Sequence, residues 1–149
     1  MEETNESKEF WAEKEQETGK KIIFKSFARF IGESGRGESG LSGLLFASED
    51  RVYFEDFEKS SMLDIFMKKK RKYDKFTMNF LLNDAKEMRK VTENSATACI
   101  NGNLDEAKPQ SRLMGIFSSS AWEVKFKSGE SYFFELFEPD ALQKLINRE

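Results

Sequence analysis

Apolar and polar residues alternate most regularly near the end of the chain, over residues 121–137. The first part sets three large apolar residues against charged neighbours: Trp122, Val124 and Phe126 alternate with Glu123, Lys125 and Lys127. A period of two predicts a strand with one buried face. Gly129 then interrupts the pattern within a Lys-Ser-Gly-Glu turn, where its freedom to take a positive φ suits a tight hairpin. The alternating run over residues 131–137 therefore predicts the second strand of that hairpin.

After this hairpin the period changes from that of a strand to that of a helix. Pro139 suits the first position of a helix, because the N–H group that it lacks would have no partner there. The apolar residues that follow recur at helical spacing: Ala141, Leu142, Leu145 and Ile146. Such a stripe predicts a C-terminal helix that lies on the sheet. We expect Leu142 and Ile146 to pack across the hairpin in one core. The aromatic residues of that core would be Trp122 and Phe134.

The preceding part of the chain also has the spacing of strands. Alternation and turn residues predict them at residues 21–31, 41–47, 52–57, 76–83 and 91–100. Residues 85–91 fit either a short helical turn or the start of the fifth strand. The strand–helix–strand rhythm of a parallel sheet is absent from the sequence. The pattern predicts a mainly β fold of about seven antiparallel strands, a small barrel or sandwich capped by the C-terminal helix.

Two stretches fall outside this pattern. Residues 1–19 carry seven Glu and two Lys, a local charge of −5, and form an acidic arm that is either loose or helical. Phe10 and Trp11 are its aromatic residues, and they could dock on the domain formed by residues 20–149. A solvated tail is the alternative. Residues 58–75 form an insertion in that domain, in which an apolar run leads into a basic run.

The composition narrows the possible chemistry. The chain has no histidine, the side chain that most often serves as general base or metal ligand, and one cysteine, so it has no internal disulfide. That cysteine, Cys99, has no predicted base or cation beside it, and we expect a buried free thiol. We therefore predict a protein that is not an enzyme and that binds no cofactor or metal. The lack of an apolar run of membrane-spanning length, and an acidic N-terminus unlike the basic start of a signal peptide, favour a cytoplasmic protein.

Two motifs have the composition of chemical sites but lack a necessary part. Residues 35–40 have the G-x-G-x-x-G spacing of a dinucleotide loop, but the residues that follow are strand-like, whereas the pyrophosphate needs a helix N-terminus. We interpret them as a flexible hairpin loop. Glu55 and Asp56 could form a carboxylate pair, but alternation places them on opposite faces of a strand. We interpret both as surface residues.

Four stretches together resemble the pleckstrin-homology-like superfold, and within it the GRAM type. They are the hairpin over residues 44–54, the strand and turn over residues 80–88, the hairpin over residues 122–137 and the helix over residues 139–146. The resemblance covers residues 20–149 and implies a capped barrel or sandwich that serves as a binding module. Many such modules bind phosphoinositides through a basic residue of the first strand, a role open to Lys25 or Arg29. The family's basic-x-Arg pair of the second strand is replaced here by Leu44-Leu45-Phe46.

The basic run is the feature that points most directly to a partner. Residues 68–75 include six basic residues and one acidic residue, a local charge of +5, beside an apolar run. We predict a non-enzymatic binding module that recognises an anionic surface or partner, either membrane lipid headgroups or an acidic protein. This leading hypothesis places the cytoplasmic protein at the periphery of a membrane. The contacting residues would be Lys68, Lys69, Lys70, Arg71, Lys72 and Lys75, with Ile65 and Phe66 as apolar contacts.

The alternative is a protein–protein interaction or scaffold module that uses a sheet edge or the face of the C-terminal helix. The basic loop would then be incidental, and its simplest interpretation is a solvated connection neutralised by the acidic arm. Nucleic acid is not expected as a partner, because aromatic residues are not interleaved with the basic ones. The sequence leaves the oligomeric state open.

Overall fold

The protein folds into one curled antiparallel sheet of seven strands, in a computed structural model that describes residues 5–56, 76–111 and 120–148. The strands are β1 (Phe24–Glu33), β2 (Glu38–Ala47), β3 (Arg51–Asp56), β4 (Thr77–Leu81), β5 (Ala85–Thr92), β6 (Ser120–Phe126) and β7 (Ser131–Leu136). Three helices accompany them in the described ranges: α1 (Asn5–Thr18), α2 (Glu93–Ile100) and α3 (Asp140–Asn147). A short 3₁₀ turn, Leu82–Asp84, links β4 to β5. The prediction of a mainly β fold with a C-terminal helix is confirmed.

The main core lies on the inner face of this sheet. The strand order is β4-β3-β2-β1-β7-β6-β5, so the first and last strands of the chain pair at its centre. Phe30 of β1 lies 5.3 Å from Phe134 of β7, measured between ring centroids. Leu142 and Ile146 of α3 are buried in the same cluster, and Trp122 packs against it while remaining partly exposed. The predicted contact of the hairpin with the C-terminal helix is thereby confirmed.

Helix α3 also covers part of one sheet edge. The side-chain carbonyl of Asn147 accepts a hydrogen bond from the Met88 N–H group at 2.8 Å, and its amide donates to the Met88 carbonyl at 3.1 Å. These are the backbone groups that a neighbouring strand would use, so the edge of β5 is closed at this point. The helix begins at Asp140, one residue later than predicted. Pro139 is therefore its N-cap residue and not its first helical residue.

One predicted strand is a helix. Residues 91–100 were expected to form a weak strand, but β5 already ends at Thr92 and α2 occupies the rest. The Thr92 hydroxyl accepts a hydrogen bond from the Ser95 N–H group, which caps the first turn of α2. Ala96, Cys99 and Ile100 then lie buried at helical spacing. The choice left open for residues 85–91 is settled as strand β5.

The loop expected between the first two strands is only a short turn. Strand β1 extends to Glu33 and β2 begins at Glu38, so residues 34–37 make the connection. Gly35 and Gly37 have φ values of 72° and 83°, a backbone conformation that favours glycine. The G-x-G-x-x-G spacing thus serves a tight hairpin that leads into a strand.

The outer face of the sheet carries a second, smaller core under α2. Phe133 of β7 and Ile100 of α2 are fully buried there. Glu123, predicted to be on a polar outer face, is only 2% exposed because this part of the face is covered. Its carboxylate accepts hydrogen bonds from Arg89 Nε and from the Ser131 hydroxyl, each at 2.7 Å. The buried charge is therefore paired.

Candidate functional site

Helix α1 covers one end of the outer face. Trp11 makes an edge-to-face contact with Phe46 of β2 at 5.4 Å between ring centroids. Lys14, which is largely buried, donates to the Glu55 carboxylate of β3 at 2.7 Å. Of the predicted acidic arm, residues 5–18 form this helix, and Trp11 of its aromatic pair contacts the sheet.

Between α1 and α2 the outer face has a strip that neither helix covers. It is formed by residues of β1, β2 and β7 and by one residue next to each of β1 and β7. We call it the outer strip: Ile23, Phe27, Arg29, Leu44, Glu135 and Phe137. Phe137 and Phe27 have the largest exposed fractions among the described large apolar residues, 77% and 62%. The two are neighbours, since the Phe137 N–H group donates to the Phe27 carbonyl at 3.2 Å. The outer strip therefore presents two adjacent aromatic rings to solvent.

Two shallow grooves flank these rings. One, of about 400 Å³, lies between Phe27 and Phe137 and crosses the pair formed by Arg29 and Glu135. Its floor is formed in part by Gly43, where a Cβ atom would collide with the Glu55 carbonyl of the neighbouring strand. Glycine at this position lets β3 approach β2 closely, because the space that a side chain would need is occupied by the β3 backbone.

The second groove, of about 530 Å³, lies on the other side of Phe137. Its apolar lining includes Ile23, Phe137 and Pro139, and its charged lining residues are Lys25, Glu138 and Asp140. These grooves are more open than the enclosed pockets that usually hold small ligands.

The charges around the outer strip are mixed, with an acidic side near α3. Arg29 pairs with Glu135 at 3.2 Å, and both side chains are about half exposed. The ammonium group of Lys25 lies over the Trp11 ring at 4.8 Å from its centroid. Glu138 and Asp140 are exposed at the start of α3. A partner group close to Phe137 would therefore meet more negative than positive charge.

The residues predicted to form the binding site lie outside the described residues: Lys68, Lys69, Lys70, Arg71, Lys72 and Lys75, with Ile65 and Phe66. Lys25 and Arg29, the candidates for the basic residue of the first strand, both lie on the outer face, one over Trp11 and the other beside Glu135.

The residues considered for catalysis or metal binding have structural surroundings. Glu55 and Asp56 point to opposite faces, as predicted, but Asp56 is buried, and its carboxylate accepts from the Phe76 N–H group at 3.0 Å. It is not the surface residue that was expected. Cys99 is buried as predicted, and burial, together with the charge of Glu123, raises the pKa of its thiol. A thiol with a raised pKa is a weak nucleophile at neutral pH.

A sequence signal for the outer strip was present. Phe27 has the same strand parity as Lys25 and Arg29, and Phe137 has the parity of Glu135, so each aromatic residue stands beside charged residues on its face. Such a residue is either covered by another element or exposed for contact. The alternation alone does not decide between the two.

Comparisons with known proteins bear on the fold. No protein-family model matches the sequence, and no curated protein sequence matches it. The structure is similar to the crystal structure of the C-terminal domain of an unknown protein from Leishmania infantum, with a TM-score of 0.53 and 14% sequence identity. The match covers 95% of this chain and 98% of that chain. At this identity the likeness concerns the fold alone. Within the described residues, no helix combines the length and the apolar character needed to cross a membrane.

Proposed function

We propose that this protein is a non-enzymatic binding module of the pleckstrin-homology-like, GRAM-type class that holds a protein partner on its outer strip. The observation that carries the proposal is the exposure of Phe27 and Phe137 side by side on one face. Exposed aromatic residues that are adjacent, flanked by grooves and rimmed by charges are characteristic of interaction sites. The sequence resemblance and the seven-stranded sheet with its terminal helix support the assignment to this class.

The chemistry of the strip indicates what the partner presents. An aliphatic or aromatic side chain would fill the groove between Phe27 and Phe137. A basic side chain next to it would face Glu138 and Asp140. The same carboxylates would repel an anionic lipid surface, so we favour a protein segment that pairs an apolar anchor with a basic residue.

The basic loop supports a second candidate function. Its local charge of +5 beside an apolar run suits an anionic membrane surface, as predicted from the sequence. Sedimentation with anionic vesicles at low and high salt tests this candidate. The triple variant Lys69→Glu/Lys70→Glu/Arg71→Glu should abolish binding at low salt, and wild-type protein that never sediments with the vesicles would exclude it.

The test of the outer strip compares matched variants in one binding assay. Three proteins would be immobilised and incubated with a cell lysate: wild type, the double variant Phe27→Ser/Phe137→Ser and the control variant Leu104→Ser. The lysate proteins that each of them retains would be quantified by mass spectrometry. Leu104 is also an exposed apolar residue, but it lies in the loop after α2. We expect the double variant to lose a defined set of partners that wild type and control both retain.

The candidate partners would then be made as purified proteins and their affinity measured by calorimetry. Loss of both rings should weaken binding at least about tenfold if they are the central anchors. Equal binding by wild type and the double variant, with both shown to be folded by circular dichroism, would contradict the proposal.

A further inference from the structure

A third cavity lies at the open end of the sheet, where β4 and β5 are the two edge strands. It has a volume of about 250 Å³ and is formed by Phe80 at one side and by the β6–β7 turn with Tyr132 at the other. We call it the mouth pocket. It is separate from the outer strip, and it contains none of the residues of the proposed protein-binding site.

The wall of the mouth pocket is aromatic. The Phe126 ring contacts Phe80 at 4.9 Å and Tyr132 at 4.7 Å between centroids, with interplanar angles of 79° and 78°. Tyr132 in turn contacts Phe30 of the main core edge-to-face at 5.8 Å. The Phe126 ring is thus nearly perpendicular to each of its two neighbours, whereas the Phe80 and Tyr132 rings lie 6.1 Å apart and are tilted by 58°. These contacts fix the orientation of the aromatic residues that line the pocket.

The rim of the pocket is charged and more acidic than basic. Asp84 and Glu130 stand on it with Lys127, and all three are exposed. Tyr132 also lies close to negative charge. Burial and the charges of Glu33 and Glu130 raise the pKa of its phenol. Burial is the larger cause of this shift, and the contribution of the two carboxylates shows that negative charge lies near the pocket.

Backbone hydrogen bonds fix the rim in position. The Lys127 N–H group donates to the Asp84 carbonyl, and the Phe126 N–H group donates to the Glu130 carbonyl, each at 2.9 Å. Gly129 completes the turn with a φ of 98°. A rim held in this way needs little ordering when a ligand binds, which reduces the entropic penalty of association.

We infer that the mouth pocket binds a methylated ammonium group. An ordinary ammonium or metal cation is strongly hydrated, and exposed carboxylates do not compensate for the loss of its water. A methylated ammonium group combines positive charge with an apolar surface, so it can contact the aromatic wall and the acidic rim together. Its volume is compatible with a pocket of about 250 Å³. The group could belong to a small molecule or to a methylated lysine side chain of a protein.

The decisive measurement is a titration followed by the amide chemical shifts of the isotope-labelled full chain. Choline chloride is the probe, sodium chloride at equal concentration controls for ionic strength, and dimethylbutanol, in which a carbon replaces the ammonium nitrogen, is the neutral isostere. We expect choline to shift the amides of Lys127, Gly129 and Tyr132 saturably, with a Kd in the millimolar range. Dimethylbutanol should shift them much less.

Variants of the rim test the same inference without altering the wall. The double variant Asp84→Asn/Glu130→Gln should weaken choline binding about three- to tenfold, the range for two exposed charges. The control variant Glu9→Gln/Asp105→Asn removes the same number of exposed carboxylates from other elements and should leave choline binding unchanged.

Three results would overturn the inference: no saturable shift around the pocket, equal binding of choline and its neutral isostere, or an unchanged affinity of the rim variant. A peptide with trimethyllysine and its unmethylated counterpart distinguish the two sources of the group. Stronger binding of the methylated peptide than of choline would support the inference and assign the site to a modified protein. If the methylated peptide and choline bind with equal affinity, the inference is also supported and the site is assigned to a small molecule.

Discussion

Phe133 and Phe137 lie on the same face of the same chain segment, four positions apart, but their exposed fractions are 0% and 77%. Phe133 lies beneath α2, in the small core that also holds Ile100. Phe137 lies beyond the reach of α2 and next to Phe27, in the outer strip. The strand pattern is the same at both places, so the difference comes from the element above the sheet. Whether an apolar residue on the outer face is structural or available for contact depends on what covers it.

The stability of the region of the sheet that α2 covers should therefore depend strongly on Phe133. Replacing Phe133 by Ala deletes a fully buried ring between α2 and the sheet. We expect the free energy of unfolding to fall by about 3–5 kcal/mol, the range for buried aromatic residues. Urea denaturation followed by circular dichroism measures it. A loss below about 1 kcal/mol would mean that α2 does not form a core with β7.

The ion pair beneath α2 provides a second test of how strongly this covered region depends on its buried residues. Arg89 holds the buried carboxylate of Glu123 and also donates to the Ala107 carbonyl at 2.7 Å, which links β5 to the loop after α2. Arg89→Met would leave Glu123 buried without its cation. Because Arg89 is itself partly exposed, we expect a loss of about 2–3 kcal/mol, below that for a fully buried pair.

A double-mutant cycle separates this loss from the loss of packing. Glu123→Leu added to Arg89→Met removes the unpaired charge and should restore part of the stability. If the double variant were no more stable than Arg89→Met alone, the pairing of charges would not explain the effect.

The contacts between α1 and the sheet should contribute less to stability than those of α2, and their contribution should decrease at alkaline pH. Burial of Lys14 would lower the pKa of its ammonium group, but hydrogen bonds to Glu55 and Glu17 raise it overall above its ordinary value of 10.5. A raised folded-state pKa means that the contribution is fully present below pH 10.5 and is lost as the pH rises through the folded-state pKa. Lys14→Met should reduce stability by about 1–2 kcal/mol at neutral pH.

The difference between wild type and Lys14→Met isolates this group from others that titrate at high pH. We expect the difference in unfolding free energy to be constant up to about pH 10 and to shrink above it. Denaturation curves at several pH values measure it. A difference that grew with increasing pH would contradict the assigned direction of the pKa.

Much of the fold could be predicted because its signals are local. The hairpin of β6 and β7 and the amphipathic helix α3 each carry a complete pattern within a few residues. Helix α2 was missed because its small apolar residues also fit a period of two, and its decisive contacts with Ile31 and Phe133 come from distant parts of the chain. The outer strip was missed for the related reason that α1 and α2 decide which outer residues are covered. The basic loop lies outside the described residues, so its role stays a prediction.

The smallest effect on stability is expected at the outer strip. Phe137→Ser changes a residue that is 77% exposed and keeps the N–H group that donates to the Phe27 carbonyl. We expect its free energy of unfolding to stay within about 0.5 kcal/mol of wild type, as at ordinary surface sites. Urea denaturation beside Phe133→Ala provides the direct comparison. If Phe137→Ser instead lost as much stability as Phe133→Ala, its ring would be covered by another part of the chain. It would then belong to the core of this domain, and the proposal that a protein partner binds there would have to be given up.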